Sequence, residues 1–582
     1  MQPVFRVGQP GVCDARLLKT EFVSPSLYLP GQCGHSGDFS VHGSDPAVRS
    51  PGRPGNDRRA PRRGSLGSGY SRDAYFTRGA AVAEAAAVDS LRSLRRAAIL
   101  NGLSGPSVAR GEAPLNIREG AALPYALYRA SQVREFDRIA IEELGIGGGV
   151  LMERAGGGAF RAMRENWPGA REITVLAGLG NNGGDGYVVA RLAQEAGLSP
   201  RVLQLGDPER ISGDAREHAM RYRATGAAWE RFERLPRHTD VIVDALLGTG
   251  LDRAVEGRWA EVIRAVNACR VPVLSVDIPS GLDADTGAIL GEAVAADVTV
   301  TFIALKQGLF TAEGPAVCGN IAFEQLEVPH SVYAREILAA RRLDWRRQET
   351  LLPPRRRSAH KGNFGHVLVI GGNRGFAGAA RLSAEAAARA GAGLVSLATR
   401  PEHVPAVVGA CPEIMARGVE SAADLDELLE RATVVALGPG LGHDEWATAL
   451  WRAGLEKGLP AVVDADALNL LAGEPRRGNW ILTPHPGEAA RLLGTSVSAV
   501  QADRFAAAEA LQARYGGVVV LKGAGTLVRS GGTRTPAVCS EGNPGMASGG
   551  MGDVLTGLVA GPVSYTHLTL PTTKALCRSR WS

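Results

Sequence analysis

The strongest constraint on this chain is a repeated alternation. Short runs rich in Val, Ile and Leu end in glycine-rich loops and are followed by helix-length segments, in two consecutive series. In the first series EITVLAG (172–178) leads through a glycine loop into the helical pattern YVVARLAQEAG (187–197). RVLQL (201–205), DVIVDALL (240–247), VPVLSVDIP (271–279) and DVTVTFIAL (297–305) continue it. A polar, basic bridge from Pro329 to Arg357 separates it from the second series. That series runs through HVLVIGG (366–372), GLVSLAT (393–399), TVVALGPG (433–440), LPAVVDADAL (459–468), NWILTPHPGE (479–488) and GVVVLKGAGT (517–526). Strands joined through helices need crossover connections, which give a mainly parallel sheet. The expected fold class is therefore α/β, with two domains of roughly 210 residues each. Order begins near Leu123, where Ser131 can cap a helix whose apolar face runs Val133, Phe136, Ala140 and Leu144.

Composition narrows the function. The 582 residues are 45% hydrophobic and 21% charged, an ordinary globular balance. The net charge of +5 draws on Arg49, Arg53, Arg58, Arg59, Arg62 and Arg63, set among Pro, Gly and Ser. Such a run reads as a solvated, disordered face and not as a nucleic-acid site. Residues 1–120 cannot bury enough apolar surface to offset ordering. They read as a low-complexity, disordered extension or a misread start, with a targeting peptide left open. The seven cysteines form no CxxC pair and no metal-spaced Cys/His cluster, which points away from structural zinc and towards a cytoplasmic location. There is no run of about 18 apolar residues, so no membrane span is expected, and no secretory signal opens the chain.

The loops at the ends of the first-series runs carry the chemistry, because ligands in open α/β sheets bind beyond the carboxyl ends of the strands. In GLGNNGGDG (178–186) the glycines let a backbone approach a phosphate, while Asn181, Asn182 and Asp185 add oxygens that a turn alone does not need. VDALLGTGL places Asp244 at a strand end before Gly248, Thr249 and Gly250, and VDIPSGLDADTG brings Asp277 and Ser280. Converging Asn, Asp and Ser oxygens suit a hard monovalent cation. Taken singly, each loop also reads as an ordinary turn or cap.

LYRASQVREFDRIAIEELG, LMERAG, NNGGDGYVVARLA, VDALLGTGL and VDIPSGLDADTG, in this order, resemble the NAD(P)H-hydrate epimerase family over about residues 125–330. The resemblance implies a Rossmann-like three-layer domain over 121–330. It implies that Asn181, Asn182, Gly183, Gly184 and Asp185, with Gly248, Thr249, Gly250, Leu251, Asp252, Arg253 and Ala254, bind the hydrated dinucleotide. It further implies that Asn182, Asp244 and Ser280 hold K+. Asp277 falls on a substrate-binding position and is the acid/base candidate, since exchange of the hydroxyl at nicotinamide C6 needs proton transfer. The chain departs from the family in reading GIGGGVLMERAG, without the family's frequent proline before LMERAG.

In the second series HKGNFGHVLVIGGNRGFAGAA (360–380), GPGLG (438–442) and VVDADALNLL (462–471) are weaker signals, and Asp464 or Asp466 also suits a helix cap. His485, between two prolines in TPHPGE, is held rigidly. The sharpest pair is LKGAGT (521–526) with GNPGMASGGMGDVLTG (542–557). A glycine run ending in Asp before a helix builds an anion hole, and the Asp can take a hydroxyl proton.

This set resembles ribokinase-like enzymes, and specifically the NAD(P)H-hydrate dehydratase domain, over 358–561. The resemblance implies that Lys522, Gly523, Ala524, Gly525, Thr526 and Gly552 bind ADP or ATP. It implies that Ala379, Gly440, His485 and the catalytic Asp553 contact the hydrated nucleotide, and that Mg2+ comes with the nucleotide. Residues 331–357 read as a linker. The tail 562–582 has no family counterpart, so the ribokinase-like domain reads as truncated. The expected activity is repair of hydrated nicotinamide cofactors: epimerisation of R- and S-NAD(P)H-hydrate and nucleotide-dependent dehydration of the S form. A homo-oligomer without nucleic-acid partner is implied. Two other readings stay open: a ribokinase-like small-molecule kinase, and a catalytically dead binding scaffold.

Overall fold

The structure is a computed structural model that describes residues 118–119, 123–352 and 354–566. The expected extension 1–120 falls almost wholly, and the tail from 567 to 582 wholly, outside the described residues.

Two sheets carry the fold. In the first, seven parallel strands run in the spatial order Asn320–Glu324, Val298–Phe302, Val273–Val276, Val241–Ala245, Glu172–Ala177, Ser199–Gln204 and Trp229–Arg231. Arg118–Glu119 adds a short antiparallel edge. Every residue of Val241–Ala245 is buried, as a parallel strand covered on both faces requires. Apolar clusters lie on both faces, one around Val175, Val243 and Phe136, the other around Leu176, Ile242 and Ile263.

The second sheet opens with seven parallel strands: Met415–Gly418, Leu394–Thr399, His366–Ile370, Val434–Leu437, Ala461–Val463, Trp480–Leu482 and Val518–Leu521. It then turns antiparallel through Thr526–Ser530 and Ala537–Cys539. Beyond these it takes up Ala340–Arg342, then Ala126–Tyr128 and Leu305–Lys306, which precede or end the first series. The bridge 331–357 therefore supplies a strand to the second sheet. One apolar cluster is shared as well, joining Leu123, Ile278, Leu305 and Phe310 to Leu521, Leu527 and Val538.

Several local expectations change. Ser131 lies inside the helix Ala130–Arg138; its cap is Arg129, whose amide donates to Gln132 Oε1 at 3.0 Å. Leu144 ends the following turn at 42% exposure, so the buried face is Val133, Phe136 and Ala140. The helix expected at 187 starts at Asn181 and runs Asn181–Glu195. Its first-turn glycines are consumed by packing: a Cβ on Gly186 would stand 2.7 Å from Ala245 Cβ, and one on Gly184 would collide with Met152. The closing helix Met551–Thr566 crosses the expected boundary at Gly561 without a break. It buries Val559, Ala560 and Pro562 and lies along Ala377–Arg389, where Ser383 Oγ donates to the Asp553 carbonyl at 2.7 Å. Among the described residues no helix is long and apolar enough to cross a membrane.

Candidate active sites at two switch points

Within the run of seven parallel strands in each sheet the strand order reverses at one point, leaving a crevice between two diverging loops. In the first sheet the reversal lies between Glu172–Ala177 and Val241–Ala245. There Asn182 Nδ2 donates to the Leu247 carbonyl at 3.0 Å. Asp244 is fully buried and accepts from Ser280 Oγ (2.6 Å), Ser280 N (2.9 Å) and Ser275 Oγ (2.8 Å). Burial pushes its carboxyl up, against the pull of those donors. Asn182, Asp244 and Ser280 thus meet around Leu247. Asn182 Oδ1 is buried and has no hydrogen-bond partner among the described residues. An orphaned buried acceptor beside a buried carboxylate fits a cation with oxygen ligands.

Asp277 sits at positive φ (66°) just beyond Val273–Val276, and forms an ion pair with Lys306, whose side chain is 1% exposed. Lys306 also donates to Thr301 Oγ1 (2.9 Å) and the Phe302 carbonyl (3.1 Å). Two further acids join this pair. Asp185 is pushed well above the carboxylate range, by burial first and then by the charges of Asp277 and Asp137. Asp137 is pushed up to about 6, again mainly by burial. Gly248 lies against Asn182, while Gly250, Asp252, Arg253 and Ala254 are exposed at the mouth. Asn181 is exposed as the first residue of its helix, and the Thr249 carbonyl accepts from Arg134 at 3.2 Å. Lys306 lay just outside the motifs read from sequence, and Asp137, inside LYRASQVREFDRIAIEELG, was not singled out there. Their one signal is charge inside apolar patterns, Lys306 after a β run and Asp137 beside Phe136.

In the second sheet the reversal lies between His366–Ile370 and Val434–Leu437. Gly440 takes φ +58°, and a Cβ there would stand 2.6 Å from Phe376 Cβ and 3.2 Å from Ala379 Cβ, so these predicted neighbours line one narrow mouth. Beyond it Lys522 Nζ donates to Asp464 Oδ1 at 2.6 Å, Thr556 Oγ1 donates to Asp464 Oδ2 at 2.7 Å, and Glu488 Oε2 lies 3.7 Å from Lys522. Asp464 is therefore not a helix cap but the buried partner of Lys522. Asp466 opens its own helix and accepts from Gly442 N at 2.8 Å. Asp553 stands at the start of Met551–Thr566, its carboxyl pushed up to about 6 by burial and then by the charge of Asp464. Glu488 is raised to about 6 by burial.

His485 has a structural duty: its Nδ1 accepts from the amides of Gly487 (2.9 Å) and Glu488 (3.3 Å), capping Pro486–Leu493. Burial, then Lys522 and Arg491, lower its pKa, so the ring is neutral and its Nε2 carries the proton. Thr526 Oγ1 closes the Lys522–Thr526 loop on the Gly523 carbonyl at 2.9 Å, and Gly552 faces Asp464 and Lys522.

Comparison with known proteins decides the family. The bifunctional NAD(P)H-hydrate repair enzyme Nnr of Coxiella burnetii is 51% identical over 440 residues, covering 75% of this chain and 90% of the relative. The chain belongs to the bifunctional NAD(P)H-hydrate repair enzymes. It pairs an NAD(P)H-hydrate epimerase with an ADP/ATP-dependent dehydratase of ribokinase-like class. The Escherichia coli enzyme Nnr is 43% identical over 75% of this chain and 85% of its own. The bifunctional repair enzyme of Leishmania braziliensis is 39% identical over 77% and 87% respectively. Residues 148–308 match the family described as YjeF-related protein N-terminus, and 367–581 match NAD(P)H-hydrate dehydratase. That second match runs past Gly561, which corrects the expectation that the tail has no family counterpart and leaves the reading of a truncated domain without support. A Bacillus subtilis ADP/ATP-dependent NAD(P)H-hydrate dehydratase co-crystallised with ATP/Mg2+ is 29% identical, covering 39% of this chain and 81% of that one, at a TM-score of 0.34.

Proposed function

We propose that the two switch points are the two active sites of repair, with epimerisation at the first and dehydration at the second. One observation supports this reading: where strand order reverses, loops carrying residues singled out for substrate come together, Asn182 with Gly248 in the first sheet and Ala379 with Gly440 in the second. We assign 121–330 to the epimerase and the chain from 358 to the dehydratase.

At the first site Asp277 and Lys306 face the C6 carbon of the hydrated ring. The ring nitrogen's electron pair expels the C6 hydroxyl as water once it is protonated, and water returns on the opposite face with loss of a proton. Asp185, whose carboxyl burial pushes up, is the donor, and Asp277, ion-paired to Lys306, is the acceptor. The helix opening at Asn181 and the Gly248–Ala254 loop hold the pyrophosphate through unpaired amides. Asn182, Asp244 and Ser280 are the residues for K+. When bound, K+ supplies a fixed positive charge beside that pyrophosphate.

At the second site Asp553 takes the proton of the C6 hydroxyl, whose oxygen attacks the terminal phosphoryl of ATP or ADP as the bridging P–O bond breaks and ADP or AMP leaves. Elimination then breaks C6–O and removes the C5 proton, giving phosphate and the C5=C6 double bond of NADH or NADPH. Lys522 neutralises charge on the transferring group. Asp464, Glu488 and Asp553 outnumber this single lysine, but no three acids among the described residues are grouped to hold a metal, so Mg2+ would be held chiefly by the nucleotide's own phosphates. When bound, Mg2+ neutralises the phosphates. Cytoplasmic placement rests on the scattered cysteines.

The test mixes the full chain with both NADH-hydrate epimers, Mg2+, K+ and ADP or ATP, following reduced-nicotinamide absorbance. Recovery of both epimers is expected, with Asp277→Asn confining recovery to the S form and Asp553→Asn abolishing it. Wild-type recovery by Asp553→Asn sinks the second assignment, and recovery of both epimers by Asp277→Asn sinks the first.

A further inference from the structure

The loop assigned to the nucleotide does not stand on its own half of the chain. Thr311 follows Lys306 by five residues in the epimerase half and is fully buried. Its hydroxyl faces the Gly525 carbonyl at 3.1 Å and the Ala524 carbonyl at 3.4 Å, and the Ala312 amide donates to Ala524 at 3.3 Å. Gly525 takes φ +61°, and a Cβ there would collide with the Phe310 carbonyl, so loop and segment lie backbone on backbone.

Arg504 closes the arrangement from below. Its Nε donates to Thr311 Oγ1 (3.1 Å), its Nη2 to the carbonyls of Leu521 (3.1 Å) and Lys522 (3.2 Å), and its Nη1 to Gln501 Oε1 (2.8 Å). Thr311 Oγ1 accepts from this guanidinium and passes its own hydrogen to the loop. Arg504 is 1% exposed, and every one of these partners is neutral. A guanidinium buried without a carboxylate is costly, and an anion held on the far side of the loop relieves it. Gly523 packs directly on this guanidinium: a Cβ there would stand 2.9 Å from Arg504 Nη1. No other part of the epimerase chemistry uses Thr311.

We propose that Thr311 and Arg504 are positioning residues for the adenine nucleotide, so that the epimerase half completes the dehydratase's site for a nucleoside di- or triphosphate. This rests on the assignment of Lys522–Thr526 to that nucleotide. Thr311 acts through the loop carbonyls and Arg504 through the loop and its charge; neither reaches the hydrated ring.

The experiment uses the full chain and three variants: Thr311→Val, which keeps shape and removes the hydroxyl, Thr311→Ser, which restores it, and Lys522→Ala. Dissociation constants for Mg-ADP and Mg-ATP, dehydratase kcat and both KM values, and melting temperatures are measured. Thr311→Val is expected to raise nucleotide Kd and KM about fivefold, while kcat and hydrate KM stay within about twofold and Thr311→Ser returns to wild type. If Thr311→Val binds nucleotide like wild type while Lys522→Ala does not, the proposal is overturned and the loop assignment stands. If Lys522→Ala leaves nucleotide Kd unchanged, the loop assignment falls and the proposal with it. If Thr311→Val lowers the melting temperature and shifts nucleotide and hydrate KM together, its role is general packing, and the proposal is overturned.

Discussion

Lys306 closes an ion pair onto Asp277 at the carboxyl end of the first sheet, with almost none of the lysine open to solvent. Asp185 and Asp137 crowd the same cation. Replacing it in Lys306→Met leaves Asp277 beside two acids and removes the cation that holds its side chain in place. Epimerisation is expected to fall by about 10²–10⁴-fold, the usual worth of a positioned acid/base group. Dehydration of the purified S epimer persists. With mixed epimers and ATP, absorbance then recovers quickly only for the S share, and adding an intact epimerase restores the rest. A variant that epimerises at the wild-type rate means that the pair only packs.

The dehydratase carries its own pH signature. As the proposed base, Asp553 would work only when ionised, and its carboxyl is pushed up to about 6. Below that pH the rate is expected to drop about tenfold per unit as the base is protonated. Asp464 is among the causes of the rise, so Asp464→Asn removes a repelling charge and moves the limb to lower pH. Glu488 titrates in the same range, at about 6. A profile of kcat/KM against pH for wild type, Asp464→Asn and Glu488→Gln separates them: the limb survives in Glu488→Gln if it belongs to Asp553.

What was legible in the sequence is what local pattern dictates. The apolar runs at 172–178, 240–247, 366–372 and 517–526 became strands because a strand buried on both faces shows its composition directly. Loops at their ends reveal oxygens and glycines in contiguous motifs, so Asn182, Asp244 and Ser280 could be grouped. Ala126–Tyr128, Leu305–Lys306 and Ala340–Arg342 could not, since strands of two or three residues have no period to read and owe their state to partners far along the chain. Lys306, Arg504 and Thr311 were missed for the same reason. Their meaning lies in a tertiary meeting, Thr311 with Arg504 across 193 positions of chain. The glycines of the NNGGDG stretch were found but misread in part, because a close-packed helix and a phosphate loop ask for the same residue.

The orphaned Asn182 Oδ1 gives a metal prediction with a readout other than turnover. A cation that binds only the folded chain raises stability by mass action, about 2.7 kcal/mol at 100 times its Kd. Melting curves in KCl are expected to lie above those in choline chloride at equal ionic strength. Asn182→Leu, which fills the space and removes the acceptor, is expected to lose that difference. A K+ increment unchanged in Asn182→Leu places the cation elsewhere.

Gly180 and Gly186 separate the two duties that glycine has in this loop. A Cβ on Gly186 meets Ala245 Cβ at 2.7 Å and Val175 Cγ1 at 3.1 Å, both on strands behind the helix. Gly186→Val therefore drives helix and sheet apart, at a cost of about 1–3 kcal/mol. Because Ala245 adjoins Asp244, the K+ increment shrinks with it. Gly180 has nothing within 4 Å of an added Cβ and an extended backbone that alanine adopts freely. Gly180→Ala is thus expected to melt like wild type while its hydrate KM for epimerisation rises, because the added methyl stands where the pyrophosphate approaches the helix start. Melting temperatures and epimerase KM for both variants test the distinction. An unchanged KM in Gly180→Ala means that the ligand enters along the Gly248–Ala254 loop instead.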